Sequence, residues 1–277
     1  MSSLLLGKSH EMKYDEICEI PLVQATSTYT PVSHCKFIDA VIDSVTDSGM
    51  HPMGLRCGVQ DTTVKGDLIP GGKMFGLLDI DNGMNPQGDD LKLSVGFRNS
   101  YDKSMSAGIV IGSSVMVCDN MMLTGELFAA RRHTLNVWND IIPMIMAVLS
   151  VATRQHEIDQ QMRVGFKEIG IGESEGLDML GKMAAHGFLS YAGGGGSAFA
   201  TAIKEWQEPS YSEFEDRNIW SLYNACTYGT KKSTISNIVM DNAKATMFFR
   251  NTVMPELTVQ SKSLSEEIQE TRLQFAV

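Results

Sequence analysis

Residues 91–125 read LKLSVGFRNSYDKSMSAGIVIGSSVMVCDNMMLTG, and their pattern decides the fold class. Leu91, Leu93, Val95 and Phe97 alternate with Lys92, Ser94, Gly96 and Arg98, the period of a half-buried strand. Asn99-Ser100-Tyr101-Asp102-Lys103 is rich in turn formers, and Ile109 to Val117 is dense in β-branched residues. The stretch therefore predicts a hairpin. Arg98, Asn99, Tyr101, Asp102 and Lys103 gather at one end of it, and Cys118, Asp119 and Asn120 lie where its second strand gives out.

Working backwards, Gly54 to Val64 and Gly72 to Ile80 are strand-like. Lys65-Gly66-Asp67 with Pro70-Gly71-Gly72 separate them as turns, and Asp81-Asn82-Gly83 and Asp89-Asp90 follow as further turns. Before them, Ser33 reads as the N-cap of a helix carrying Phe37, Ile38, Val41, Ile42 and Val45, with Gly49 as its stop. Residues 1–32 read as an N-terminal arm with at most a short strand around Ile17 to Val23.

Beyond the hairpin, Leu135, Trp138, Ile141, Ile142, Ile145, Val148, Leu149 and Ala152 form a helical stripe that continues to Phe166. A single helix of about 30 residues, roughly 45 Å long, is expected there, kinked or begun at Pro143. Helices are expected over 173–191, Ala198–Trp206, Ile219–Tyr228, Ile235–Phe249 and Leu264–Leu273. Gly193 to Gly196 with Ser197 lack the Lys-Ser/Thr of a phosphate-binding loop and read as a flexible connection. The sum is an α+β fold: an antiparallel β-meander with a packed helix, then a long helix and a helical C-terminal region. The expected division is an arm (1–32), a sheet core (33–132) and a helical region (133–277).

Of the 277 residues, 43% are hydrophobic, enough for a core, and no run of 18 apolar residues suggests a membrane span. Ser2 to Gly7 is too short for a secretory signal, so a cytoplasmic protein is expected. Five scattered cysteines without a C-x-x-C read as free thiols. The net charge of −10 excludes a generally basic surface but not a local basic groove. Eighteen methionines read as core filler, with an adaptable binding surface as the alternative.

The chemical candidates are few. His34, Cys35, His51, Cys57, Cys118 and His133 lack zinc-ligand spacing, so no metal site and no cofactor is expected. Asp79, Asp81, Asp102 and Asp119 are the carboxylates able to hold Mg²⁺ for phosphodiester hydrolysis, with turn and Asx roles as the alternative. No nucleophile elbow and no dinucleotide fingerprint is present, so the expectation is a non-enzymatic protein. Arg98, Lys103, Arg131 and Arg132 lie near the same sheet ends, and Tyr101 sits among them. Cations for phosphate beside an aromatic ring are what single-strand binding requires.

Arg98-Asn99-Ser100-Tyr101-Asp102, the strand ending in Val117-Cys118-Asp119-Asn120, and Leu222-Tyr223-Asn224-Ala225-Cys226-Thr227 together resemble the signatures of a phage and plasmid protein family grouped as a domain of unknown function (number 932). Gly71-Gly72-Lys73 is similar to that family's strand entry. Tyr101 stands where the family commonly has His. The resemblance spans residues 70–250 and implies a phage or mobile-element origin. In outline, a helix, a meander and a long helix are also similar to the ring-forming single-strand annealing proteins of the RecT, Redβ and Rad-fifty-two type. The expectation is a bacteriophage protein that binds and anneals single-stranded DNA in replication or recombination, as a homo-oligomer in the host cytoplasm. Arg98, Lys103, Arg131 and Arg132 would contact phosphates and Tyr101 would stack. Asn99 stands with them as a nucleic-acid-binding residue that also orders the site by hydrogen bonds, and Asp102, Asn120, Tyr223 and Asn224 would order it. The alternatives are a module that binds and inhibits a host protein, and a Mg²⁺-dependent nuclease built on Asp79, Asp81 and Asp102.

Overall fold

The computed structural model describes residues 7, 9–81, 83, 91–118, 120–192 and 196–274. Asn82, the Asp89-Asp90 turn, Asp119 and Gly193 to Gly195 lie outside the described residues.

The fold is α+β. Among the described residues six strands, β1 (His10–Glu11), β2 (His51–Val64), β3 (Asp67–Asp81), β4 (Leu91–Ser100), β5 (Ala107–Val115) and β6 (Met121–Arg131), form one antiparallel sheet in sequence order. The helices are α1 (Tyr14–Cys18), α2 (His34–Asp47), α3 (Val137–Leu149), α4 (Ala152–Glu168), α5 (Glu173–Ala185), α6 (Ala198–Gln207), α7 (Ile219–Thr230), α8 (Ile238–Val253) and α9 (Glu256–Gln274).

Helices cover both faces of the sheet. Leu93, Val95, Phe97, Ile109 and Ile111 face α2, α3 and α4 in the main core, while Phe75, Leu77, Val110, Met121 and Leu123 pack against Ile235, Ile238 and Val239 around the start of α8. Residues Ala107 to Val115 are all buried, as a strand covered on both sides must be. The expected sheet and helical parts share this core, which runs from Ile17 to Ile268.

Ser33 caps α2, its hydroxyl accepting from Lys36 N at 3.4 Å, and Gly49 ends the helix region at φ +76°. Five expectations are corrected. First, β6 was not foreseen: Met121 to Arg131 holds one β-branched residue, Thr124, so no strand propensity announces it. Second, β3 begins at Asp67, because Lys65 and Gly66 (φ +54° and +96°) close the turn in two left-handed residues. Pro70-Gly71 is therefore no turn; it lies beside a register shift between Gln60 and Thr62, where Asp61 accepts from Gly71 N at 2.9 Å. Third, the long helix is two helices, bent 45° at Ser150–Val151, and Pro143 lies inside α3 without ending it. Fourth, the arm's strand is β1, and Ile17 lies instead in α1, where Glu16 accepts from Lys13 N at 2.8 Å. Fifth, Cys18 and Cys35 form a disulfide joining α1 to α2, since folding brings together thiols that the sequence scatters. Cys57, Cys118 and Cys226 are free and buried. No single helix among the described residues is long and apolar enough to cross a membrane.

Candidate functional site

Where β4 ends, the chain enters a turn built by its own side chains. Asp102 accepts from Ser104 N at 3.0 Å, an Asx turn, and Met105 N donates to Ser100 Oγ at 3.0 Å. Asp102 also accepts from Thr62 at 2.5 Å and pairs with Lys73 at 3.1 Å. Burial alone would raise this carboxyl, but the bonds from Ser104, Thr62 and Lys73 outweigh it and hold it well below the usual range. The turn leaves Lys103 at φ +65°, unusual for a residue with a side chain. Its ammonium lies 4.5 Å from the centre of the Tyr29 ring.

Two recesses open on either side of Lys103 and Tyr29, which line both. One, of about 480 Å³, is completed by Thr28, Ser104, Met105, Ser106, Arg132, His133 and Thr134. Among the described residues its lining holds two cations and four aliphatic hydroxyls but no carboxylate. The other, of about 540 Å³, lies between the arm (Leu22, Val23, Gln24) and the β2–β3 hairpin (Thr63, Val64, Ile69), with Asp67 and Asp102 in its wall.

Beneath them is a buried polar layer. Asn99 donates to the Val32 carbonyl at 2.6 Å and to His34 Nδ1 at 2.9 Å, and accepts from His133 Nε2 at 2.7 Å. Tyr101 stacks on His34 with centroids 4.1 Å apart, accepts from His34 N at 3.0 Å, and its carbonyl accepts from the Tyr29 hydroxyl at 3.2 Å. Burial pushes His34 down to about 3 and His133 down to about 4, and pushes Tyr29 up to about 12. Both imidazoles are therefore neutral at pH 7.

The expected site residues divide accordingly. Lys103 and Arg132 are exposed in the carboxylate-free recess. Arg131 is next to it but pairs with Asp140 at 3.5 Å. Asp102 orders the turn. Three assignments are corrected. Tyr101 is 1% exposed with one face against His34, so it offers no free surface to a base. Asn99 is fully buried and orders the layer below, where no nucleic acid reaches it. Arg98 points to the opposite face of the sheet, as the residue beside Asn99 in a strand must. It donates to the Ser236 carbonyl at 2.8 Å and lies 4.7 Å over Phe128, so it ties β4 to the start of α8.

Asn120 and Asn224 do meet: the Asn120 amide donates to Asn224 O at 3.0 Å and to its Oδ1 at 3.1 Å. Tyr223 is buried nearby in α7, its hydroxyl 2.9 Å from Thr246. This pair sits by Val115, whereas Lys103 and Arg132 sit by Ala107 and Arg131, eight residues away along β5 or roughly 26 Å. The two signatures thus form two places, and the asparagine pair locks α7 to the sheet without ordering the recesses.

The carboxylates are likewise dispersed. Asp79 is held by Arg56 at 2.7 Å and by Ser94 at 2.8 Å, while Asp102 is held by Lys73, six residues back along β3 or roughly 20 Å. Asp81 accepts from Gly83 N at 2.8 Å. No group of three or more potential metal-binding side chains occurs among the described residues.

Sequence reading missed Tyr29, Thr28, Ser104, Ser106 and Thr134 in the recess, because they come from an irregular arm and from turns. It also missed a buried network in which Ser113 donates to Asp159 at 2.7 Å and lies 2.8 Å from His156 Nδ1, with Gln155 donating to Asp159 at 2.7 Å. Burial pushes Asp159 up to about 7, against the bonds from Ser113 and Gln155. The Ser113 hydroxyl is already committed to Asp159 and sealed from solvent, an arrangement that joins β5 to α4 and does not present a nucleophile. The spacing of His156 and Asp159, three apart on one helical face, was the only sequence signal.

No protein-family model, curated protein or solved structure matches the chain.

Proposed function

We propose that the protein binds single-stranded DNA at the open end of its sheet, as an oligomeric phage-type binding or annealing protein, with Lys103 and Arg132 taking backbone phosphates. The observation that carries this is the carboxylate-free recess in which those two cations stand among hydroxyl groups. In a chain of net charge −10, a site without carboxylates is a local exception, and phosphate binding depends on such local fields. Lys103 is held out by a turn that Asp102 builds, so the cation is presented by a rigid support.

The test is titration of a fluorescent oligonucleotide of about 40 nucleotides, single- against double-stranded, at two salt concentrations, with the solution mass measured in parallel. Single-strand preference is expected, weakening as salt rises. Exchanging Lys103→Glu and Arg132→Glu together should weaken binding at least about tenfold and make the salt slope shallower by roughly 1.4, the value for two lost single-strand phosphates. Absence of binding at low salt, where phosphate contacts are strongest, refutes the proposal.

A second reading, a module that binds a host protein, is favoured by the outer edge of β2. Among the described residues β1 pairs there with Val59 and Gly58 and Met12 N donates to the Cys57 carbonyl at 3.1 Å, while no other strand pairs with that edge of the 14-residue β2, an opening for strand addition. A stoichiometric partner recovered from host lysate, with no DNA bound, would support it.

A further inference from the structure

The two recesses differ in chemistry, and the difference matches the two halves of a nucleotide. The carboxylate-free recess suits an anion. The arm recess does not, because Asp67 and Asp102 in its wall offset Lys65 and Lys103 and leave it charge-balanced. Instead, Leu22 and Val23 on one side and Val64 and Ile69 on the other give it apolar walls, and Gln24 supplies an amide that both donates and accepts. Apolar walls with a few polar groups, in a volume of about 540 Å³, make a small-molecule site for a flat, neutral, hydrogen-bonding group. A nucleobase is such a group. Because Lys103 and Tyr29 line both recesses, whatever fills the one abuts whatever fills the other. A base and the phosphate attached to its own sugar are neighbours in this way.

Resting on the single-strand reading above, we propose that one unstacked nucleotide seats across Lys103, its phosphate in the recess of Arg132 and its base between the arm and the β2–β3 hairpin. Tyr101, expected to stack on that base, instead forms the floor through its packing on His34. The arm becomes part of the binding site. Double-stranded DNA is excluded because its bases cannot leave the stack without loss of pairing.

The experiment compares three probes on the full chain: a thymidine oligonucleotide of about 40 units, an abasic phosphodiester of the same length, and thymidine monophosphate. The thymidine strand should bind at least about tenfold more tightly than the abasic one, the scale of one base contact. Filling the arm recess by Thr63→Trp, at an exposed strand position, should erase that preference while leaving abasic binding unchanged. Gln24→Trp in the arm should do the same and serves if the first variant misfolds. Equal affinity for thymidine and abasic strands overturns the base pocket while the phosphate reading stands. Binding of thymidine monophosphate, blocked by either tryptophan, with neither polymer bound, upholds the nucleotide seat and overturns the strand reading. No binding of any probe overturns both.

Discussion

Asn99 holds two histidines in fixed tautomers. Its amide faces the Val32 carbonyl and His34 Nδ1, so its oxygen is left for the proton on His133 Nε2. A proton on His34 Nδ1 would cost its bond from Asn99, and burial disfavours charge on either ring. Both histidines have pKa values below their ordinary 6.5, so the folded chain stays neutral there down to about 4 and 3, whereas the unfolded chain takes up both protons near 6.5. The stability this contributes is complete above 6.5 and is lost as pH falls toward 4. Asp159 acts in the opposite sense: with its pKa raised to about 7 from 3.8, its contribution is complete below 3.8 and is lost as pH rises to about 7. Between about pH 7 and pH 5 the histidines cost the fold on the order of 4 kcal/mol and Asp159 returns on the order of 2. Net acid destabilisation of about 2 kcal/mol is expected in urea unfolding at the two pH values. His133→Gln keeps a donor toward Asn99 but cannot titrate, so it should remove about 2 kcal/mol of the loss. If its pH dependence were that of the parent, His133 would not be a buried neutral base.

At the scale of elements, what could be read from sequence was a clear period or a dense run of β-branched residues. The α2 helix was legible from Ser33, its apolar stripe and Gly49 because one face meets water. The alternation in β4 was legible although eight of its ten residues are buried, and β6 was not, because Met121 to Arg131 holds one β-branched residue, Thr124. The bend between α3 and α4 carries no proline, so no residue announced it. Glycine in β3 was also opaque, although one has a definite task. A Cβ on Gly76 would lie 2.2 Å from the Phe97 ring on the neighbouring strand. Phe97 is buried and packs edge-on against Phe37 with centroids 5.9 Å apart, so the ring has nowhere to retreat. Gly76→Ala should therefore destabilise by about 2–3 kcal/mol, as overpacking does. Adding Phe97→Leu should recover part of that loss, because it removes the colliding ring and couples the two sites. Strictly additive losses in thermal or urea unfolding would show that the ring is free to move.

For the molecule as a whole, the place of the candidate recess was legible and its lining only in part. Lys103 and Arg132, both singled out because strand ends gather turns, do line one recess, but Tyr101 does not stand free beside them, since the arm covers it through Tyr29. Which pieces of the arm would fold over the hairpin is a long-range fact that no local pattern encodes. The same holds for Asn120 and Asn224, 104 residues apart yet in direct contact. That contact, with the Lys231 ammonium on the Cys118 carbonyl and Asn242 on both Leu123 N and Met121 O (2.8 and 2.7 Å), ties the helical half to β6 and the turn before it. Two halves joined by buried hydrogen bonds and one continuous apolar core should not open separately, since either half alone would expose the other's apolar face and orphan its polar groups. Native-state hydrogen exchange checks this. The slowest amides of β4 and β5 and those of α7 should converge on one opening free energy with one denaturant slope. Separate plateaus for the sheet and for α7 would mean that the asparagine pair and the shared core do not couple the halves, and that the helical region folds as a unit of its own.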